Sequence, residues 1–358
     1  MGADSIPNRI LLDSAALVPD AWLRFGSTSN LRVYNPAVVR YNGRLLMAYR
    51  VDFGHEKPFR VATAICVLDD HLRVVPGSVV ALSDTIAGET ANHFDARFLV
   101  YQDRLFLHYN NDWETVPNEI SLVELDPHTL EARSAARRLE LDGPRQPCEK
   151  NWLLFEHDEA LFAIYQVDPH IVLRVEMSGA GPVRCWPVYR SEWDTLAYAR
   201  RYGALRGGTP PVRVGANYVS LFHSRTHSRG QAAAKTVPAM ETLKRIAWLR
   251  PAKRWLRERF APVRYYGGIY AFAAVPPFAP TLIRPTPILW PEYEPRRQRP
   301  TPSHMSPRRV VYPCGLVRLA DDRWLVSYGV HDERAVLRVF TRQEIEGWTV
   351  KPQGSQHE

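Results

Sequence analysis

The sequence predicts an all-β fold, a five-bladed β-propeller that carries a basic, partly helical insertion in its fourth blade. Three observations lead there. Pairs of short apolar runs are joined by tight-turn residues, the clearest being Asn42-Gly43 between Val38-Val39 and Leu45-Leu46; Asn-Gly supplies the positive φ that both central positions of a type I′ hairpin turn require. The unit containing such a pair recurs: with Pro36, Ala96, Trp152, Pro210 and Pro313 as equivalent points, the steps are 60, 56, 58 and 103 residues. The long last step holds residues 226–263, whose removal returns it to about 65, and regular recurrence of a four-stranded unit around an axis is a propeller blade. The competing architecture is a β-sandwich with similar hairpins.

Taken in order, residues 1–30, with Pro7, Pro19 and Gly26, form a lead-in suited to supply a closing strand. The propeller domain then runs over 31–345, and 346–358 is a tail. The first unit pairs Asn35–Arg40 with Leu45–Arg50 around the Asn-Gly turn and adds Phe59–Val67 and Leu72–Val75. The second pairs His93–Val100 with Leu105–Tyr109 across Tyr101–Arg104, with outer strands at Ile120–Leu125 and Ala135–Leu139. The third has Lys150–Phe155, the turn His157-Asp158-Glu159, Leu161–Tyr165 and Ile171–Val175. The fourth has Gly207–Val214, the turn Gly215-Ala216-Asn217 and Tyr218–Phe222; the fifth has Val311–Leu319, the turn Asp321-Asp322, Trp324–Tyr328 and Ala335–Phe340. Each strand is bounded by turn residues and enriched in β-branched and aromatic side chains.

With 45% hydrophobic and 23% charged residues the chain reads as folded and soluble, and no run of eighteen apolar residues marks a membrane span. The N-terminus lacks the basic and continuous apolar regions of a secretory signal, so a cytoplasmic protein is expected. Cys66, Cys148, Cys185 and Cys314 lie far apart without CxxC or His spacing, which reads as buried thiols and no metal site. A net charge of +8 favours anionic partners. The excess is concentrated in residues 225–264 and 296–309. Within the insertion, 242–260 is helix-compatible on both sides of Pro251 and mixes Lys244, Arg245, Arg250, Lys253, Arg254, Arg257 and Arg259 with Trp248, Trp255 and Phe260. That pattern suits an anionic membrane surface or a glycolipid acceptor, and equally a solvated excursion; no nucleic-acid partner is expected.

In a propeller the first strand of each blade lines the axis, so polar residues at the heads of the units should converge. Those heads are Asn35, Asp95 with Arg97, Lys150 with Asn151, Arg206 with Thr209, and Tyr312 with Cys314; Arg50, Asn110, Asn111, His223 and Asp332 end second strands. Asp95 and Arg97 are two residues apart and share a face by strand alternation, as an ion pair or a catalytic pair. Gly207-Gly208-Thr209-Pro210 lacks the Lys and following helix of a phosphate loop and reads as tight-turn geometry. A pocket of carboxylates, cations and amides fits a sugar that carries or receives phosphate.

These same segments resemble glycoside hydrolase family 130, the β-mannoside phosphorylases, β-1,2-mannosidases and related β-1,2-mannosyltransferases. The resemblance rests on Asn35-Pro36-Ala37, Asp95-x-Arg97, Lys150-Asn151-Trp152, Gly208-Thr209-Pro210-Pro211 with Phe222-His223, Pro285 to Pro291 with Tyr293-Glu294, Val311-Tyr312-Pro313-Cys314-Gly315, and Tyr328-Gly329-Val330-His331-Asp332. It implies a five-bladed propeller and inverting transfer of a mannose-like sugar, with Asp95 the general acid acting through a sugar hydroxyl. Arg50, Arg97, Lys150 and His223 would be the cations that hold phosphate, and Asp332 would bind sugar hydroxyls; Asn35, Asn111, Asn151 and Arg206 join the set by position. No cofactor is expected, since inorganic phosphate, a sugar phosphate or a nucleotide sugar enters as substrate. The chain departs from the family in having Phe94-Asp95-Ala96-Arg97 where Glu-Asp-Pro-Arg is usual, and in its basic insertion. A hydrolase needs a carboxylate to activate water, so the retained cations favour a phosphorylase or a transferase with a phosphate-activated donor over a β-mannosidase or a silent glycan-binding propeller.

Overall fold

The computed structural model describes residues 8–23, 31–54, 60–88, 92–111, 118–179, 181–226, 263–295 and 308–347. Strand β1 (Arg9–Leu11) stands apart from the antiparallel meander β2 (Arg32–Tyr41), β3 (Arg44–Asp52) and β4 (Val61–Leu68). The β2–β3 turn has positive φ at both Asn42 (46°) and Gly43 (76°), as its residues require. A second group, β5 (His93–Tyr101), β6 (Arg104–Asn111), β7 (Glu119–Glu124) and β8 (Arg137–Leu141), is followed by a third, β9 (Leu153–His157), β10 (Ala160–Gln166), β11 (His170–Glu176) and β12 (Val183–Ser191). Parallel pairing of Leu139 with Val183 joins these two into one eight-stranded sheet.

In the fourth group β13 (Ala204–Gly207) and β14 (Val212–Val214) both pair with β15 (Asn217–Arg225), which pairs in turn with β16 (Val263–Ala273) and through it β17 (Pro280–Ile283). The last group is β18 (Arg308–Arg318), β19 (Trp324–Val330) and β20 (Arg334–Phe340), and β1 completes it by pairing Arg9 with Arg338. The lead-in thus contributes an outer strand to the last group. Arg225 and Tyr265 are Cα partners, so the basic stretch leaves and re-enters a single hairpin; its residues 227–262, including the helix-compatible 242–260, lie outside the described residues, as does the tail from 348.

The cores show how these groups are arranged. Val33, Met47 and Tyr49 of the first group pack with Leu325 and Leu337 of the last. Leu46 and Ala48 pack with Phe98 and Leu107 of the second, Leu99 and Phe106 with Leu154 and Leu161 of the third, Phe155 and Ile164 with Phe222 and Phe272 of the fourth, and Leu221 and Ile269 with Val326 and Tyr328 of the last. Each group therefore shares a core with the next and the last with the first, a closed, β-propeller-like ring. Each buried Leu, Ile or Phe contributes about 1.5–3 kcal/mol. Closing the ring buries both faces of the inner strands, which explains the unbroken burial of β19 and of β2 from Arg32 to Val38 where a one-sided sheet would alternate.

Some strands differ from the sequence expectation: Leu72–Val75 makes only an isolated bridge of Val74 with Leu68, Gly207–Val214 is divided between β13 and β14, and β12, which the sequence did not mark, contains Pro187. It is accommodated opposite Leu173, where the β11–β12 register shifts. Among the described residues no helix is long and apolar enough to cross a membrane.

Candidate active site

The heads of the inner strands share an unusual backbone. Asn35 (φ 53°) and Asp95 (φ 52°) each sit where the ladder of their first strand breaks register, between Tyr34 and Ala37 and between Phe94 and Arg97. Asn151 (φ 65°) occupies the corresponding place just before β9. Asn and Asp are the non-glycine residues that best tolerate this left-handed region. The two bulges turn their side chains toward each other, and Asn35 Nδ2 donates to Asp95 Oδ1 at 2.7 Å. Gly329 on β19 permits that approach, since a Cβ there would lie 1.9 Å from Asn35 Oδ1.

Arg50, near the end of β3, faces the same carboxylate. Its Nη1 is 3.8 Å from Asp95 Oδ1 and its Nη2 3.5 Å from Asp52 Oδ2, while its guanidinium lies 4.7 Å from the Tyr34 ring centroid and 4.6 Å from that of Phe94. Burial pulls the Arg50 pKa down, but Tyr34, Asp95, Asp52 and Asp332 together raise it above its ordinary value, so it stays charged. Asp52 is buried and accepts from the Tyr34 hydroxyl at 3.1 Å and the Gly54 amide at 3.1 Å. Burial also holds the Tyr34 phenol well above its usual pKa, which keeps it a neutral donor. Asp332 (φ 58°) acts electrostatically on Arg50 and Tyr34 and makes no hydrogen bond to another described residue. Tyr34 and Asp52 were not among the residues the sequence pointed to. The signal for Asp52 was present: it lies two residues after Arg50 on one strand, hence on the same face.

Strand alternation predicts Asp95 and Arg97 side by side, and the structure corrects this. The bulge between Phe94 and Arg97 interrupts the alternation, so the two side chains diverge. Arg97 is buried; its Nε donates to Gly208 O at 2.8 Å and its Nη1 to the backbone carbonyls of Asp95 and Ala96, each at 2.9 Å. Its guanidinium covers the Tyr312 ring at 5.3 Å. Burial lowers its pKa, but Cys314, Tyr312 and Asp95 more than offset this, so it remains a cation. Across the ladder His108 is the Cα partner of Arg97, and burial with the Arg97 charge pushes it down to about 3. Gly207 and Gly208 also have a different reason from the tight turn expected. Neither has positive φ; a Cβ on Gly207 would lie 2.3 Å from Asn151 O, and one on Gly208 2.6 Å from Leu221 O, so close backbone approach demands glycine.

A second polar group forms around His223. This buried imidazole bonds through Nδ1 to Gly207 O at 3.0 Å, stacks on Tyr265 and tilts against Tyr312 at 4.7 Å. Burial first, then the charges of Arg206 and Lys150 and more weakly of Arg97, hold it well below the usual histidine range. His223 is therefore a neutral donor to Gly207 with Nε2 left as an acceptor, not the cation expected at this position. Arg206, its Cα partner, and Lys150 are both exposed. Asn151 Oδ1 accepts from the Tyr312 hydroxyl at 2.6 Å. Asn111, at the end of β6, donates to Ser121 Oγ at 2.8 Å. The structure thus unites Asn35, Arg50 and Asp95, with Asp332 in electrostatic reach, and it gathers Lys150, Arg206 and Arg97 around His223.

No protein-family model matches the chain, and no curated protein does. Solved structures do: the fold is that of the GH130 mannoside phosphorylases and glycosidases. A β-1,2-mannobiose phosphorylase from Listeria innocua, solved with β-1,2-mannobiose, aligns over 95% of this chain and 99% of its own at TM-score 0.55 and 14% identity. A member of the GH130 family, described as containing glycoside hydrolases that target β-1,2-mannosidic linkages in Candida mannan, aligns over 87% and 85% at TM-score 0.56 and 12% identity. A mannose phosphorylase from Leishmania mexicana in complex with phosphate ion aligns over 88% and 86% at TM-score 0.51 and 13% identity. At such identities the likeness establishes the fold.

Proposed function

We propose that this chain is a carbohydrate-active enzyme of the GH130 type, a five-bladed β-propeller that transfers a mannose-like sugar with inversion to or from phosphate. The observation that carries the reading is a partly exposed carboxylate, Asp95, oriented by Asn35 at 2.7 Å and faced by Arg50 at 3.8 Å, with Lys150 and Arg206 exposed around a neutral His223. In phosphorolysis a phosphate oxygen attacks the anomeric carbon of a β-mannoside from the face opposite the leaving group. The C1–O bond breaks, Asp95 delivers its proton to the departing oxygen through a sugar hydroxyl, and α-mannose 1-phosphate results. Arg50, Lys150 and Arg206 would hold the dianion, and His223 Nε2 would accept a hydrogen bond from a sugar or phosphate hydroxyl. Asn111, Asn151 and Asp332 would complete the sugar contacts.

Run in reverse, or from a nucleotide-activated donor, the same site is a β-mannosyltransferase. In that form the basic segment 242–260 would hold a cytoplasmic protein at an anionic membrane or a glycolipid acceptor. Hydrolysis is a second reading, favoured by Asp332, whose carboxylate has no hydrogen-bond partner among the described residues and would serve as base to water.

The test is to incubate the protein with β-1,2-mannobiose and phosphate, with mannose 1-phosphate and mannoside acceptors, and with GDP-mannose and the same acceptors. Mannose 1-phosphate in the first, or phosphate release in the second, supports the phosphorylase; GDP release in the third supports the transferase. Free mannose formed without phosphate would shift the assignment to a hydrolase, and no product in any arm would leave a glycan-binding propeller.

A further inference from the structure

Arg97 is a buried and Arg50 a partly buried cation beside Asp95, and their donors are used differently. Arg97 spends Nε and Nη1 on three backbone carbonyls. Among the described residues Arg50 has no hydrogen bond from Nε, and its contacts to Asp52 and Asp95 are long, at 3.5 and 3.8 Å. Two aromatic rings flank it instead, its Cζ lying over the Tyr34 ring at 4.7 Å and over the Phe94 ring at 4.6 Å. A guanidinium packed against two aromatic rings and underused at its edge is suited to donate in its own plane, the approach that gives two parallel hydrogen bonds to an oxyanion. Phe94 is buried and immediately precedes Asp95, so one bulge sets both the aromatic face and the carboxylate.

We infer that Phe94, together with Tyr34, is a positioning residue that confines Arg50 to in-plane donation toward a tetrahedral oxyanion such as inorganic phosphate. The inference rests on the proposed function. Without the ring, Arg50 is free to tip and close its donors onto Asp52 and Asp95, the two carboxylates it already faces at 3.5 and 3.8 Å. The anion then competes with an internal ion pair, and it is anion affinity, more than the chemical step, that suffers.

The experiment is calorimetric titration of inorganic phosphate into the full-length protein and into Phe94→Leu, Phe94→Tyr and Tyr34→Phe, which needs no turnover. A desolvated cation–π contact predicts a Kd raised about 10-fold or more in Phe94→Leu. Phe94→Tyr and Tyr34→Phe, which keep both rings, should stay within about threefold of wild type by the same argument. Thermal melting and circular dichroism identify any variant that has lost its fold; should Phe94→Leu be one, Phe94→Met, which is unbranched and fills irregular space, takes its place with the same expected loss. Equal phosphate affinity in wild type and a folded ring-less variant overturns the inference while leaving the proposed function intact. A wild-type protein that binds no phosphate overturns the phosphate reading itself, and this inference with it. Where turnover is measurable, the KM for phosphate should rise in Phe94→Leu with kcat changed less, a split that general destabilisation does not produce.

Discussion

Asp95 and Glu149 are carboxylates at the heads of neighbouring strand groups, and their surroundings are opposite. Glu149 is buried, and its two oxygens accept from the Gln146 amide at 2.7 Å, the Tyr165 hydroxyl at 3.1 Å and the Trp152 indole at 3.1 Å. Its backbone carbonyl takes a further bond from Asn118 at 2.7 Å. Asp95 is partly exposed, on left-handed backbone, with a hydrogen bond from Asn35 to Oδ1 and a long contact to Arg50. A satisfied carboxylate clamps the segment that carries Lys150 and Asn151. An unsatisfied one held in strained backbone retains capacity for a ligand or a proton.

The sharpest way to break this comparison is to neutralise each carboxylate. Asp95→Asn keeps the hydrogen-bonding shape and removes the proton donor, so turnover should fall by about 10²–10⁴-fold while chemical denaturation shows near wild-type stability. Undiminished activity would remove Asp95 from the chemistry. Glu149→Ala should show the opposite pattern. It strands an indole and an amide donor in a buried site, and the loss of about 2–4 kcal/mol should appear as a lower denaturation midpoint. A Glu149→Ala protein as stable as wild type would mean the clamp does not hold that segment.

Much of this contrast was legible in the sequence, for physical reasons that differ by residue. Asn42-Gly43 announces its hairpin because few other pairs accept positive φ twice. Asn35 and Asp95 announce themselves because they recur 60 residues apart, at equivalent points of two units. Hidden was whatever depends on register: strand alternation placed Arg97 beside the Asp95 carboxylate, whereas one bulge sent it to Gly208 O and brought Arg50 in from the adjacent strand group. Tyr34 and Asp52 were hidden likewise, since a Tyr34–Arg50 pairing is fixed only once the β2–β3 ladder is known. Pro187 concealed β12, because the register shift that tolerates it leaves no local mark.

The next contrast is between histidines. His108 and His223 belong to the polar centre, whereas His170 lies in the aromatic core between the third and fourth groups, against Phe272 and Tyr270. Burial pushes His108 to about 3 and His170 to about 4, and His223 well below 6.5. A depressed histidine pKa means the unfolded chain binds protons that the folded chain refuses, so stability is full above about pH 6.5 and is lost as the pH falls toward the folded values. Each such histidine contributes a slope of roughly 1.4 kcal/mol per pH unit across that window. Replacing His170 by Phe should remove its share of the slope between about pH 6 and 4.5, measured by urea denaturation at several pH values. An unchanged slope would show that His170 is protonated in the fold.

The smallest expected effect lies on the seam between the two polar groups. Tyr312 reaches from β18 to Asn151 Oδ1 at 2.6 Å, and its ring also supports Arg97 at 5.3 Å and meets His223 at 4.7 Å. Tyr312→Phe keeps the ring and deletes only the hydroxyl. Asn151 is not fully buried, so water can replace the lost donor, and the cost should be about 1 kcal/mol. If that hydroxyl is a seam contact only, the variant should retain wild-type kcat with a sugar KM raised by less than about threefold, since Asn151 loses orientation and Asp95 does not. A large fall in kcat would instead place Tyr312 with Asp95, on the unsatisfied side of the comparison, as a group that touches the reacting sugar.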